Sequence, residues 1–164
     1  MAYWLMKSEP DAFSLDALKA APKKTTIWDG VRNYQARNWM REMAKGDGIF
    51  YYHSNTDVPG IVGLAKISGT AHPDPTQFDP NDSHYDPSSK HDDPRWDVVD
   101  VTYVRHLKRA ISLSELREHH GPLGDFPLLR KANRLSVMPV TDEQWAYILA
   151  LEPSRGTAPA SRTR

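Results

Sequence analysis

Three runs rich in β-branched and aromatic residues stand in succession in the middle of the chain: "GIFYYHS" (48–54), "GIVGLAKISGTA" (60–71) and "WDVVDVTYVRHL" (96–107). They constrain the fold more than any other feature. The first two are separated by "NTDVP", a hairpin-sized turn, and the three together suit a strongly bent antiparallel sheet. "AYWLMKS" near the start and "NRLSVMPV" near the end read as further strands. Helices are expected around them. Ser14 caps a short amphipathic helix with Leu15 and Leu18 facing inward, and Asn33 caps a second. In that second helix Ala36, Trp39, Met40 and Met43 share one face, Arg37 and Arg41 share another, and "KGDG" ends it. Ser112 with Glu115, and Thr141 with Gln144, match capping boxes for two late helices, whose buried faces come from Leu113 and Leu116 and from Trp145, Ile148 and Leu149.

Several function classes are excluded by composition. A chain of 164 residues is one compact domain with a real core. Its 21 basic and 21 acidic side chains balance, so no broad positive field draws it to a polyanion and any such contact must be local. The absence of cysteine removes disulfides, thiolate metal sites and cysteine nucleophiles, and points to a reducing cytoplasm. "MAYWLMKSEP" has no basic leader, and no run approaches the ~18 apolar residues of a membrane span. The expectation is a soluble, cytoplasmic chain, nucleoid-associated if bacterial, with no membrane partner and a monomer as the default. The seven His form no H-x-x-x-H pair and the nine Gly no phosphate cradle, so neither metal nor cofactor is expected.

Between the second and third β-rich runs lies a long loop, "HPDPTQFDPNDSHYDPSSKHDDP" (72–94), whose Pro and Asp forbid regular structure. Asp79, Asn81 and Ser83 keep the spacing of a calcium loop, but His84 replaces the required Gly and Lys90 the bidentate Glu. The reading is an ordered lid or surface loop closed by Asx-turns. The folded domain is expected over 1–151, and "EPSRGTAPASRTR" (152–164), small, polar and basic, reads as a disordered tail.

Flat and forked side chains concentrate in "TTIWDGVRNYQARNWM" (25–40), around an Asp-Gly turn. This stretch belongs to a series of blocks, "YWLMKSEPD", "WDGVRNYQARN", "GDGIFYYHSN", "PGIVGLAKI", "HPDPTQFD" and "RLSVMPV". In order and spacing they resemble the EVE domain family, from about Ala2 to Leu151. The resemblance implies an α+β fold, a PUA-like bent antiparallel β-barrel with peripheral α-helices, related to PUA, ASCH and YTH modules. It also implies a non-catalytic module that recognises a modified base in an aromatic and polar pocket, notably a modified cytosine such as 5-methylcytosine in DNA, or a modified base in RNA.

Reading a base requires a wall to stack on, donors and acceptors for the Watson–Crick edge, and cations for flanking phosphates. Trp28, before the Asp-Gly turn, is either the wall or a core tryptophan, and the resemblance favours the wall. Arg32 and Asn33, at the start of a helix, are candidates for phosphate or base contact, with a plain N-cap as the alternative for Asn33. Strand alternation puts Tyr51 and His53 on one face and Tyr52 on the other. The resemblance favours Tyr51 and His53 as pocket-facing, while the residues alone favour a satisfied core role for His53. Lys7, Ser8 and Glu9 end the first strand: Lys7 suits a phosphate or base carbonyl and Glu9 an exocyclic amine, unless the two make an ordinary surface ion pair. Arg134, Leu135 and Ser136 are candidates for the same mouth, and Gly30, Val31 and Ser54, neighbours of these groups in the chain, complete the set.

Two other classes remain open. An ASCH-like amidohydrolase acting on modified nucleobases would use Lys7 with Glu9, but a lysine nucleophile must lose its proton, and an adjacent Glu9 would hold Lys7 as the cation. A protein-interaction module would leave the cluster around Trp28 without a role.

Overall fold

The structure, a computed structural model, describes residues 1–131 and 133–153. In chain order its elements are β1 (Tyr3–Ser8), α1 (Pro10–Phe13), α2 (Leu15–Ala20), β2 (Thr25–Ile27), α3 (Tyr34–Glu42), β3 (Gly48–His53), β4 (Gly60–Pro73), β5 (Asp97–Ser112), α4 (Leu113–Glu118), α5 (His120–Leu123), β6 (Val137–Val140) and α6 (Asp142–Leu151). Single 3-10 turns lie at Pro22–Lys24, Pro75–Phe78 and Pro127–Leu129. No described helix is long and apolar enough to cross a membrane.

The strands form one six-stranded sheet in the order β2-β5-β4-β3-β1-β6. Two features depart from the expected antiparallel barrel. β1 and β3 run parallel, from Tyr3 opposite Gly48 to Ser8 opposite His53, because the 39-residue connection 9–47 carries three helices and is long enough for a crossover. Among the described residues the sheet is also open, with β2 and β6 as edges. These edges are three and four residues long, and Pro139 removes a ladder donor from β6, which suits an edge and not a closing pair. The sheet is nonetheless bent. The β4–β5 register shifts four times and β3–β4 once, between Tyr51 and Tyr52, and each extra residue increases local twist and curvature.

Because both faces are covered, the core has two halves. Trp4, Met6, Ile49 and Tyr51 face one of them, with Leu15 and Leu18 of α2, Ala36 and Met40 of α3, and Val99 and Val101 of β5. Leu5, Phe50 and Tyr52 face the other, with Leu116, Phe126, Met138 and Ile148. The alternation that separates Tyr51 from Tyr52 is therefore a division between two cores. α2 lies so close to the sheet that a Cβ on Gly63 would collide with Leu15.

Helix starts follow local chemistry. Ser14 accepts from Ala17 N at 3.0 Å, Asn33 from Ala36 N at 3.0 Å, and Thr141 with Gln144 closes a full capping box at 3.0 and 2.9 Å. The box expected at Ser112 closes by half. Ser112 accepts from Glu115 N at 3.1 Å, but the Glu115 carboxylate is taken bidentately by Arg109 at 2.7 and 2.8 Å. The late strand begins at Val137 and not at Asn133, because the Asn133 side chain turns the chain by accepting from Leu135 N at 2.9 Å.

Glu152, expected in the tail, is buried: Arg105 grips its carboxylate at 2.8 and 2.9 Å and Lys108 N donates to it at 2.6 Å. The rest of the tail expectation, from 154 to 164, lies outside the described residues.

Candidate nucleic-acid interface

The parallel pairing of β1 with β3 brings both C-terminal ends to the same edge of the sheet, and antiparallel β6 brings its N-terminal approach there. Lys7 N donates to Ser136 O at 2.8 Å and Ser54 N to Ser8 O at 3.0 Å, which stitches the three ends together. A cleft of about 1350 Å³ opens over them. That is larger than the ~300–1,000 Å³ of a drug-sized site, and leaves room for a nucleotide with part of its backbone.

Trp28, Asp29, Gly30 and Val31 build the facing wall. Trp28 N donates to Val99 O at 2.8 Å, which ends the short β2 pairing, and the indole then turns onto the edge of Tyr51 with ring centroids 5.4 Å apart. Trp28, 8% exposed, belongs to the core and also borders the cleft. Gly30 has φ +78°, and a Cβ there would lie 2.6 Å from His84 Cε1, so the position is closed to other residues by backbone and by space.

His84 belongs to the acidic loop, which is ordered and forms another part of the wall. Asx-turns close it at four points: Asp74 accepts from Thr76 N, Asp79 from Asn81 N, Asp82 from His84 N and Asp86 from Ser88 N, at 2.8 to 2.9 Å. Buried Gln77 donates to Asp74 O and Trp96 O and accepts from Ser89 Oγ and Trp96 N, joining the loop's two ends. Among the described residues no cluster of His, Asp or Glu could hold a metal ion.

Arg32 fastens this loop to the Trp28 turn. Nε and Nη2 donate to His84 O at 3.1 and 2.7 Å, Nη2 also to Thr76 Oγ1 at 3.1 Å, and Nη1 to Val31 O at 3.1 Å and Asp74 Oδ2 at 3.0 Å. A guanidinium has five N–H donors and all are engaged. Arg32 lines the cleft with all five of these donors engaged within the fold. Asp74 is fully buried and receives Gly30 N at 2.9 Å as well. Burial raises its pKa, but hydrogen bonds from the Thr76 hydroxyl, Gly30 N, Arg32 and Thr76 N outweigh burial and hold it below the usual carboxylate range.

A family model described as EVE domain matches residues 2–151. The chain belongs to the EVE domain family. Thymocyte nuclear protein 1 of Rattus norvegicus is 53% identical to it over 166 residues, which cover 92% of this chain and 73% of that protein. The Homo sapiens protein of the same name is 50% identical over 167 residues, covering 92% and 74%. A crystal structure of human THYN1 protein in complex with 5-methylcytosine containing DNA superposes with TM-score 0.91 at 49% identity, covering 94% of this chain and 99% of that one. An X-ray structure of a Pseudomonas syringae protein superposes with TM-score 0.87, also at 49% identity, covering 92% and 99%.

In this EVE domain most of the residues expected at the site do meet at the cleft: Lys7, Ser8, Glu9, Trp28, Gly30, Val31, Arg32, Ser54, Arg134, Leu135 and Ser136. Three do not line it. Asn33 is the N-cap of α3, its Oδ1 used by Ala36 N. Tyr51 is fully buried beneath Trp28, its hydroxyl donates to Phe13 O at 2.7 Å, and burial pushes its pKa up to about 12. His53 Nε2 accepts from Leu15 N at 3.1 Å at the start of α2, and burial lowers its pKa, so it is a satisfied neutral histidine.

The alternative of an ordinary surface ion pair between Lys7 and Glu9 is not what the structure shows. Glu9 Oε1 accepts from Asn55 Nδ2 at 3.0 Å, while Lys7 Nζ sits 5.7 Å from the Tyr52 ring centroid with no carboxylate partner among the described residues. Burial lowers the Lys7 pKa. Strand alternation would put Lys7 and Glu9 on one face, but β1 ends at Ser8 and Glu9 is already the N-cap of α1, so their tips diverge. Asp29 and His84 were missed. In the sequence Asp29 stands out only as half of a turn, and His84 only as the residue where a calcium loop needs Gly. The positive φ demanded by "DG" was the one signal that the chain turns sharply here, and nothing local named the loop that packs against it.

Proposed function

We propose that this EVE domain is a non-catalytic reader of a modified cytosine in DNA, with the base turned out of the helix into the cleft and laid against Trp28. One observation carries the reading: a single cleft combines a tryptophan wall, backed edge-on by a buried tyrosine, with a half-buried lysine and an exposed arginine at its mouth. Stacking, edge recognition and phosphate attraction all have candidate groups there. The superposition on human THYN1 protein in complex with 5-methylcytosine containing DNA supports cytosine as the base and DNA as the polymer. Relationship to the wider PUA-like superfamily is part of the same proposal, as is action as a monomer in the cytoplasm, on the nucleoid if the chain is bacterial.

The test is a panel of short oligonucleotides, single- and double-stranded, DNA and RNA, that differ at one cytosine only. Tighter binding to the 5-methylcytosine strand supports the reading, and equal affinity across the panel removes it. Trp28→Phe is the informative wall variant, since it keeps a ring in the core; stacking is worth ~1–3 kcal/mol per base.

A second reading, hydrolysis of an acylated cytidine by Lys7, is favoured by the lowered Lys7 pKa and its missing carboxylate partner. Incubation with N4-acylated cytidine, followed by mass spectrometry, separates the two. Intact nucleoside supports the reader; product that disappears in Lys7→Ala establishes the enzyme.

A further inference from the structure

A reader of C5-methylated cytosine meets one competitor that a methyl-shaped pocket cannot exclude. Thymine carries the same 5-methyl group, and differs at the Watson–Crick edge, where the cytosine N4 amine donates and thymine O4 accepts. Rejecting thymine therefore needs an acceptor held beside the stacking ring and not already satisfied by the fold.

The carboxylates around the cleft differ in this respect. Asp74 is surrounded by donors from Gly30, Arg32 and Thr76. Asp82 is paired with His84, Oδ1 to Nδ1 at 3.2 Å. Glu9 is exposed and engaged with Asn55 at the rim. Asp29 lines the cleft, and among the described residues its carboxylate receives only its own main-chain N–H. Its main chain is pinned on both sides, by Trp28 N on Val99 O at 2.8 Å and Gly30 N on Asp74 Oδ2 at 2.9 Å. It therefore stands at a fixed place directly after the stacking ring. Partial burial first, and then the Asp74 carboxylate, raise its pKa, against the pull of His84. Asp29 is exposed to the cleft, so its acceptor oxygens are open to a new donor.

We propose that Asp29 accepts a hydrogen bond from the N4 amine of the bound base and is the residue by which the cleft selects a modified cytosine over thymine. The proposal rests on the reading of the cleft as a modified-cytosine site. With thymine in the cleft the O4 lone pairs would face the Asp29 carboxylate, and nothing would relieve its charge. An amide in place of the acid presents a donor as well as an acceptor, and so pairs with either base.

The experiment measures binding of wild type and Asp29→Asn to otherwise identical strands carrying 5-methylcytosine, cytosine or thymine opposite an abasic site, so that the cost of unpairing is the same for all. Wild type is expected to prefer 5-methylcytosine over thymine by ~10- to 100-fold. In Asp29→Asn that ratio is expected to fall below ~3-fold, chiefly because thymine binds better, while the preference for methylated over unmethylated cytosine persists. Asp29→Ala, which has neither donor nor acceptor, is expected to lose ~10-fold for 5-methylcytosine without gaining thymine. A wild-type preference for 5-methylcytosine over cytosine, together with an unchanged 5-methylcytosine-to-thymine ratio in folded Asp29→Asn and Asp29→Ala, overturns the role of Asp29 alone. A wild type indifferent to methylation overturns the reading of the cleft and this inference with it.

Discussion

Arg32→Ala separates a structural tie from a ligand contact, because the two roles predict opposite patterns of stability and binding. The substitution leaves the Asp74 carboxylate, whose side chain is 0% exposed, without its cation, and leaves His84 O without two charged donors. Breaking a buried ion pair from one side costs ~3–5 kcal/mol. Two features reduce the cost here: the Arg32 side chain is 22% exposed, so water reaches part of the vacated space, and Asp74 keeps Gly30 N and Thr76 as donors. The expected loss is about 3 kcal/mol, which for a chain of this size lowers the melting temperature by ~6–12 °C. Thermal denaturation measures the total, and hydrogen exchange locates it. Protection should fall most over 74–86 and at Gly30, the segments that Arg32 and Asp74 hold together. Arg32→Lys should recover less than half, since one ammonium cannot span acceptors on Val31, Asp74, Thr76 and His84. A melting temperature within ~2 °C of wild type, with oligonucleotide binding reduced more than ~10-fold, would refute the reasoning and return Arg32 to the ligand.

Three further outcomes follow from other contacts. Glu152 has its pKa depressed from 4.5 to about 2, first by the Arg105 hydrogen bonds, so its stabilisation is complete above about pH 4.5 and disappears as pH falls toward 2. The stability gap between wild type and Glu152→Gln should close over that window in denaturation measured at stepped pH, and a constant gap would contradict the assignment. Gly30→Ala should lose roughly 1–2 kcal/mol from its positive φ plus a steric part from His84. In a double-mutant cycle His84→Ala should relieve only the steric part, whereas strict additivity would place His84 away from Gly30. The affinity for methylated DNA should fall with salt at a logarithmic slope on the order of −2 to −4. Of the Lys and Arg that line the cleft, Arg32 has its donors engaged, which leaves Lys7 and Arg134 for phosphates, while nearby Arg41 is paired with Asp97 and Arg37 donates to Arg95 O; a slope near −8 would demand a groove elsewhere.

Local rules made a good part of this molecule legible. Ser14, Asn33 and Thr141 cap helices because each bond joins residues three apart, and the Asx-turns of the acidic loop join residues two apart. Tyr51 and Tyr52 fall on opposite faces because a strand has a period of two. The residues gathered at the cleft were likewise largely named in advance, through the family pattern and through their positions at strand ends. What each does was a different matter. The fastening of Arg32 is not legible locally, since all its partners but Val31 O lie 42 to 52 residues away in the chain. Spacing leaves an ion pair between Lys7 and Glu9 open because they are two apart, but the chain leaves the strand between them and Asn55 takes the acid. Glu152 was read as tail because its neighbours are small and polar, while Arg105 and Lys108 reach it from β5. The parallel β1–β3 pair, the open sheet edges and the joining of Asp29, Gly30 and His84 into one wall are all set by contacts distant in sequence. Sequence alone determined where helices start and where the acidic loop turns, because those choices are settled by bonds within about four residues. Tertiary structure alone decided which charges remain available to a ligand, because a side chain's last free donor or acceptor is known only when every distant partner has been seated.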